Sequence, residues 1–279
     1  MSNGKFPAFS VLMTVYEKEK PSFLDQALKS IENQTVKPHE IVIVKDGPLP
    51  VDLDEVLQNH EESFVHVYKV IGLPKNIGRG LASKRGIEEI STEWVARMDS
   101  DDISEPNRFE LQLSALVNNP SITVIGGMVK EFFGNKDNIV GIKKMPLHND
   151  EIVKYANYRN PINNPTVMFR KEALIRIGNY SSLNILEDYD LWIRFIASGY
   201  ELMNLDSALV RMRVSNGMYD RRGGIHFLCT YIKMKNRWRK MGVGSLKTNI
   251  ISDLMMGMNT LIPGKFRKVI YQRVLHKFW

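Results

Sequence analysis

The first hundred residues alternate in a way that leaves few folds open. A short β-rich apolar run, Phe9-Ser10-Val11-Leu12-Met13-Thr14-Val15, gives way to a segment opened by Pro21 that sets Phe23, Leu24, Ala27, Leu28 and Ile31 on one helical face. A second run, Glu40-Ile41-Val42-Ile43-Val44-Lys45, stops at the turn signal Asp46-Gly47-Pro48, and residues 64–71 read as a third strand before Asn76-Ile77-Gly78. A helical pattern over residues 79–90 leads to a fourth strand, Glu93-Trp94-Val95-Ala96-Arg97-Met98, which ends at Asp99. Short apolar strands separated by helices predict right-handed βαβ units and an α/β fold with a mostly parallel central sheet.

Ligands of such sheets gather beyond the carboxyl ends of the strands. Those ends here carry Thr14-Val15-Tyr16-Glu17, Asp46-Gly47 and Asp99-Ser100-Asp101-Asp102. Neither G-x-G-x-x-G nor G-x-x-x-x-G-K-[ST] follows the first strand, which argues against a dinucleotide or P-loop site. An aspartyl-nucleophile phosphatase would need its D-x-D after that strand, where Thr14-Val15-Tyr16 stands.

Beyond Asp102, Ser104 can cap a helix with Pro106 in its first turn, and residues 122–133 and 139–142 flank a hairpin signal at Gly134-Asn135-Lys136-Asp137. Two further helices are expected over residues 171–177 and 187–198, each closed by a glycine.

Asp99-Ser100-Asp101-Asp102 offers hard oxygen donors. In an extended strand end Asp99 and Asp101 face the same side, a spacing suited to Mg²⁺ or Mn²⁺ completed by phosphate oxygens; an acidic turn that caps a helix is the alternative. Asp188 begins a helix on the side of Trp192 and Phe195, where the helix N-terminus favours its ionised form and lets it accept a proton; Glu187 and Asp188 could instead merely complement the helix dipole. Asn76-Ile77-Gly78-Arg79-Gly80 can present backbone donors and a guanidinium to a diphosphate, and Arg221-Arg222-Gly223-Gly224 suits a phosphate lid.

With 43% apolar and 25% charged residues, the 279-residue chain can bury a substantial core and lacks the charge excess of a disordered protein. The lone Cys229 suits a reducing compartment, and the expectation is a cytoplasmic protein without an export signal or a membrane-spanning helix. Residues 221–279 hold 13 Lys and Arg against the single acid Asp253, so +12 of charge sits there and −5 is left on residues 1–220. A uniformly basic nucleic-acid binder would not divide this way. Ile250, Ile251, Leu254, Met255, Met256, Met258, Leu261 and Ile262 precede Phe266, Val269, Ile270, Val274 and Phe278, which recur at helical spacing beside Lys265, Arg267, Lys268, Arg273 and Lys277. The pattern fits a helix lying in an anionic membrane interface, with Trp279 as anchor, or one packed on the catalytic domain.

Five motifs, in order, resemble those of family 2 inverting glycosyltransferases with the GT-A fold: Phe9 to Tyr16, Val44-Lys45-Asp46-Gly47, Asn76-Ile77-Gly78, Met98-Asp99-Ser100-Asp101-Asp102, and Leu186-Glu187-Asp188-Tyr189-Asp190-Leu191-Trp192. The resemblance covers about residues 8–224 and implies a catalytic domain over 1–224, with a nucleotide-binding half at about 8–102 and an acceptor half at about 103–224, followed by a helical basic segment over 225–279. It implies that Thr14, Val15, Tyr16, Glu17 and Asp46 hold the base and ribose of a nucleotide diphosphate sugar, UDP being the usual donor. Asn76, Arg79, Asp99 and Ser100 would complete the donor site, Asp101 with Asp99 would hold Mn²⁺ or Mg²⁺, Asp188 would be the base, and Glu187 would orient it. Asn164, Thr166 and Trp192 would border the acceptor, a glycan hydroxyl, lipid-linked if the tail binds membrane. Many relatives carry a His after the last core strand; this chain has Val210-Arg211-Met212-Arg213-Val214-Ser215-Asn216-Gly217, and phosphate contact would pass to Arg213, Arg221 or Arg222. A non-catalytic nucleotide-sugar or lipid-binding module and a sugar nucleotidyltransferase are the competing readings.

Overall fold

The computed structural model describes residues 6–183, 185–215 and 224–261. Its first half is built from β1 (Phe9–Val15), α1 (Pro21–Glu32), β2 (Glu40–Lys45), α2 (Val51–Ser63), β3 (Tyr68–Gly72), α3 (Arg79–Glu89) and β4 (Trp94–Asp99). The four strands lie parallel in the order β3-β2-β1-β4. Nearly every residue of β1 is buried, as expected of an inner strand covered on both faces by helices. Thr14 pairs with Val44 on one side and with Asp99 on the other, so the three polar strand ends emerge along one edge.

The second half contributes β5 (Ile103–Ser104), α4 (Arg108–Asn118), β6 (Ile122–Phe132), β7 (Ile139–Lys143), α5 (Asn149–Ala156), a 3₁₀ turn (Asn164–Thr166), β8 (Met168–Arg170), α6 (Lys171–Arg176), α7 (Glu187–Ala197) and β9 (Glu201–Arg213). These strands extend the same sheet to β3-β2-β1-β4-β8-β6-β9-β5, with β7 antiparallel on β6. Antiparallel β8 joins the two halves, pairing with β4 and β6, so the sheet runs unbroken past Asp102.

Three local expectations are corrected. Residues 51–63, to which the sequence pattern assigns no element, form α2, which buries Leu53, Leu57 and His60; Phe64 caps it, and the strand expected from residue 64 starts at Tyr68, after a left-handed turn at His66. Ser104 is not a helix cap: it belongs to β5, its Oγ accepts a hydrogen bond from Gln34 Nε2 at 3.1 Å, and α4 begins only at Arg108. Ser100 and Asp101 form a turn rather than an extended strand end.

Of the C-terminal pair, α8 (Ile225–Lys240) packs on α7 and α9 (Leu246–Leu261) packs on α8. Tyr231, Met234 and Trp238 of α8 join Tyr189 and Ile193 of α7 in one buried cluster. Thus the first helix of the basic segment is packed on the α/β domain. Residues 262–279, which hold the second half of the expected interfacial helix, lie outside the described residues.

Candidate active site

Two glycines shape the rim. Gly47 has φ +94°, and a Cβ there would stand 2.8 Å from Asn76 N, so the Asp46-Gly47 turn presses directly on the loop before α3. Asp46 fixes that loop, accepting hydrogen bonds from Ile77 N at 2.7 Å and Gly78 N at 3.1 Å, while Asn76 Oδ1 accepts from Gly78 N. At Gly80 a Cβ would lie 2.4 Å from Ser181 O, which brings the start of α3 against the segment leading to α7.

Arg79 consequently projects into a nest of acids. Its Nε donates to Glu187 Oε1 at 2.8 Å, its Nη2 binds the same oxygen, and Asp99 and Asp188 are near enough to hold its charge; burial opposes that charge, but the three carboxylates prevail and raise its pKa. Asp99 of β4 and the two acids of α7, 88 residues apart in sequence at the least, therefore all act on the charge of one guanidinium, with Glu187 in direct contact. Tyr180, whose buried hydroxyl has no hydrogen-bond partner among the described residues, senses Asp99 and Asp188 alike, and burial pushes it up to about 12.

The Asp99–Asp102 turn is an electrostatic hot spot. Burial, then repulsion from Asp99 and Glu19, pushes the Asp101 carboxyl up to about 6. Asp102 is raised well above the carboxylate range by burial and by Asp101 and Asp99, although it accepts Arg213 N–H at 2.8 Å. Ser100 Oγ donates to Glu19 Oε2 at 2.5 Å, and Arg97 Nη2 donates to Asp99 Oδ1 at 3.2 Å from beneath. Among the described residues no three His, Cys, Asp or Glu side chains form a metal-holding group. Mg²⁺-type ions, however, need only one or two carboxylates and take their other ligands from water and substrate phosphate. Asp101 and Asp99 offer hard oxygens of that kind, and repulsion from Asp99 and Glu19 helps to hold Asp101 above its ordinary value.

At the opposite pole, α7 starts from Leu186, a non-glycine residue in the left-handed region (φ 61°, ψ 17°), a conformation that costs about 1 kcal/mol or more and is concentrated at functional sites. Asp188 Oδ1 accepts its neighbour Tyr189 N–H at 2.8 Å and Oδ2 accepts Asn160 Nδ2 at 2.9 Å, which leaves acceptor capacity on both oxygens. Burial raises the Glu187 carboxyl against the pull of Arg79, with repulsion from Asp188 adding to the rise.

The remaining expected residues divide. Thr14 is half-buried, Val15 is buried with its carbonyl accepting Asp46 N–H, and Tyr16 and Glu17 are exposed at the rim. Arg213 is committed elsewhere than to a phosphate: its guanidinium donates to Asp101 O at 3.0 Å, Gln26 Oε1 at 3.1 Å and Gly134 O at 3.4 Å and stacks over Phe23 and Phe132, clamping the acidic turn from behind. Arg221 and Arg222 lie outside the described residues. Thr166 and Trp192 are corrected as acceptor contacts, because both are 0% exposed: Thr166 Oγ1 bonds Gly127 N and Asn163 O, and Trp192 packs against Phe195. Asn164 is buried as well, at 8% exposure. The sequence reading missed Glu19, Arg97, Asn160 and Tyr180, none of which belongs to a motif; only tertiary contact gives them their place.

An α/β sheet of this topology, with acidic groups at the end of β4 and at the start of α7, defines a glycosyltransferase of the GT-A fold. The solved structure of S. aureus TarS 1-349 matches with a TM-score of 0.63 over 92% of this chain and 75% of its own, at 16% identity. A mannosyltransferase from Pyrobaculum calidifontis, in complex with GDP-Man and Mn²⁺, matches with a TM-score of 0.61 over 98% and 70%, at 13% identity. The Glycosyl transferase family 2 model matches residues 10–178, and the chain belongs to that family. It is 36% identical over 272 residues, 98% of each chain, to the UDP-Gal:alpha-D-GlcNAc-diphosphoundecaprenol beta-1,3-galactosyltransferase of Escherichia coli. To the amylovoran biosynthesis glycosyltransferase AmsE of Erwinia amylovora it is 35% identical over 95% of this chain and 98% of the relative.

Proposed function

We propose that this glycosyltransferase moves a sugar, with inversion, from a UDP-sugar to a hydroxyl of a lipid-linked glycan in the assembly of a cell-surface polysaccharide, working on the cytoplasmic face of the membrane. The observation that carries the reading is the ion pair of Arg79 with Glu187, the neighbour of Asp188, with Asp99 and Asp188 adding to the negative field on the same guanidinium. It supports one cleft with a diphosphate pole and a base pole. Thr14, Tyr16, Glu17 and the Asp46-held loop would line the nucleoside. Arg79 would meet the diphosphate, and Asp101 with Asp99 would hold Mn²⁺ or Mg²⁺. Such an ion, when bound, supplies positive charge against the departing nucleotide. Asp188, steadied by Asn160 and Tyr189 N–H, takes the proton of the acceptor hydroxyl as its oxygen attacks the anomeric carbon from the face opposite the leaving diphosphate. One displacement of this kind inverts the centre.

The named donor and acceptor of the E. coli relative support UDP-galactose and an N-acetylglucosaminyl diphospholipid as first probes. No helix among the described residues is long and apolar enough to cross a membrane. Peripheral binding is supported by α9, which buries Asn249 and Ser252 while leaving Leu246, Ile250, Leu254 and Met258 51–63% exposed in a stripe four residues apart. Exposed cations Lys233, Arg237, Arg239, Lys240 and Lys247 accompany it, the combination expected at an anionic lipid surface. The test is transfer from UDP-galactose to a synthetic GlcNAc-α-diphospholipid, with and without Mn²⁺, the product anomer being read by proton NMR. A β-linked product would support the reading, and a product that keeps the donor's α configuration would overturn inversion. Flotation with phosphatidylglycerol vesicles should retain the native protein and lose Ile250→Glu/Leu254→Glu; equal flotation of both would remove the membrane part.

A further inference from the structure

We infer that α8 is a positioning element of the transfer site, holding in place both ends of the hydrogen bond between Asn160 and Asp188; the inference rests on the reading of Asp188 as base. Three residues on one face of α8, at i, i+4 and i+7, reach two separate segments. Tyr231 Oη donates to Tyr158 O at 3.1 Å and Lys235 Nζ donates to Asn157 O, fixing the backbone just before Asn160. Trp238 Nε1 donates to Asp190 Oδ1 at 2.9 Å, fixing the first turn of α7 just after Asp188. Between them Tyr189 packs against Trp238 in a tilted pair with ring centroids 4.4 Å apart and donates its hydroxyl to Ala156 O at 2.7 Å, so the two segments are tied to each other as well as to α8.

The chemistry of this face is unlike that of a mere packing surface. Tyr231, Lys235 and Trp238 are at most 1% exposed, yet every one of them spends a polar atom on a group within three residues of Asn160 or Asp188. Burying an ammonium group is costly unless it is well partnered. Burial lowers the Lys235 ammonium to about 8, with Asp253 of α9 opposing, and Asn249 of α9 donates to Lys235 O at 3.1 Å. An apolar residue would fill the same space without that cost but would leave Asn157 O without this donor. Asn160 is a loop residue beyond the end of α5, with its amide aimed at Asp188, so the direction of that amide depends on where residues 157 and 158 are held.

The experiment uses the full chain with Tyr231→Phe and Lys235→Met, each made in the native and in the Asn160→Ala background. The Asn160 side-chain amide is followed by ¹⁵N NMR in asparagine-labelled protein, its signal being the one missing from Asn160→Ala. This readout needs no substrate. Both variants should shift that signal toward its position in Asp188→Ala. In UDP-galactose transfer, kcat per UDP-binding site should fall about 3- to 10-fold, the size of one lost hydrogen bond, with the donor KM unchanged. In the Asn160→Ala background neither variant should lower kcat further. An unmoved Asn160 signal, or equal losses in both backgrounds, would overturn the inference. Tyr231→Phe removes a single oxygen and keeps the ring, so it remains decisive if Lys235→Met does not fold. Should Asp188 not be the base, Asp188→Asn would keep its kcat while the signal shifts still appear, which separates the two failures.

Discussion

Replacing Asp101 by Asn should make the metal-free protein more stable while removing its response to metal. The carboxyl sits at about 6 instead of 3.8 because it is buried beside Asp99 and Glu19. At about 1.4 kcal/mol per pH unit, the gap amounts to about 3 kcal/mol against the folded state once Asp101 is ionised, and about 1 kcal/mol after allowance for solvent screening. A carboxyl with a raised folded-state pKa binds more protons folded than unfolded, so stability falls as pH rises from 3.8 to about 6 and stays low above that. Below 3.8 the group is protonated in both states and the penalty vanishes. Asn carries no charge at any pH. In calorimetry with EDTA at pH 7.5, Asp101→Asn should therefore melt about 2–4 °C above the native protein, and the two should converge at pH 3.5. Mn²⁺ with UDP should raise the native protein's Tm and leave the variant's unchanged. A variant that melts no higher at pH 7.5, or one that gains as much from Mn²⁺ and UDP as the native chain, would refute the assignment of Asp101 as a charge-strained ligand.

Arg79→Ala takes away the cation that pairs with Glu187 and offsets the charge of Asp99 and Asp188. It should weaken UDP binding by about 10- to 100-fold in titration calorimetry, and Arg79→Lys should not restore it, since an ammonium cannot reproduce the paired Nε and Nη2 contact with Glu187. Native affinity in either variant would move the diphosphate away from Arg79. Trp238→Ala empties the centre of the α7–α8 cluster and strips one oxygen of buried Asp190 of its donor, so urea unfolding should show a loss of about 3–5 kcal/mol. A loss under about 1 kcal/mol would mean that α8 is not integral to the fold.

Much of this was legible in the residues themselves. β1 and β2 occupy the runs that their apolar patterns mark, β4 ends at the expected Asp99, and α6 and α7 close before Gly178 and Gly199, both at positive φ. Asp99, Arg79, Glu187 and Asp188 could be read because each ends a strand or begins a helix, where the topology dictates the direction of the side chain. α2 was missed because its inward stripe is completed by a histidine: His60 is buried through hydrogen bonds to Glu32 at 2.6 Å and Asp25 at 3.1 Å, and a pattern search counts it as polar. Thr166 and Trp192 failed as acceptor contacts for the opposite reason, since motif proximity says nothing about which side of a packed helix or turn faces the cleft. α9 inverts the usual rule, with polar Asn249 and Ser252 inward and aliphatic residues outward, so periodicity finds its two faces but not which of them is covered.

The central claim is that a proton acceptor on α7 faces a diphosphate site at the end of β4. Asp188→Asn tests it most directly when kcat for UDP-galactose transfer is measured beside the Kd for UDP. General-base catalysis contributes about 10²- to 10⁴-fold, and kcat should fall by that factor while UDP binds with native affinity. Native turnover, or loss of UDP binding along with turnover, would contradict the account.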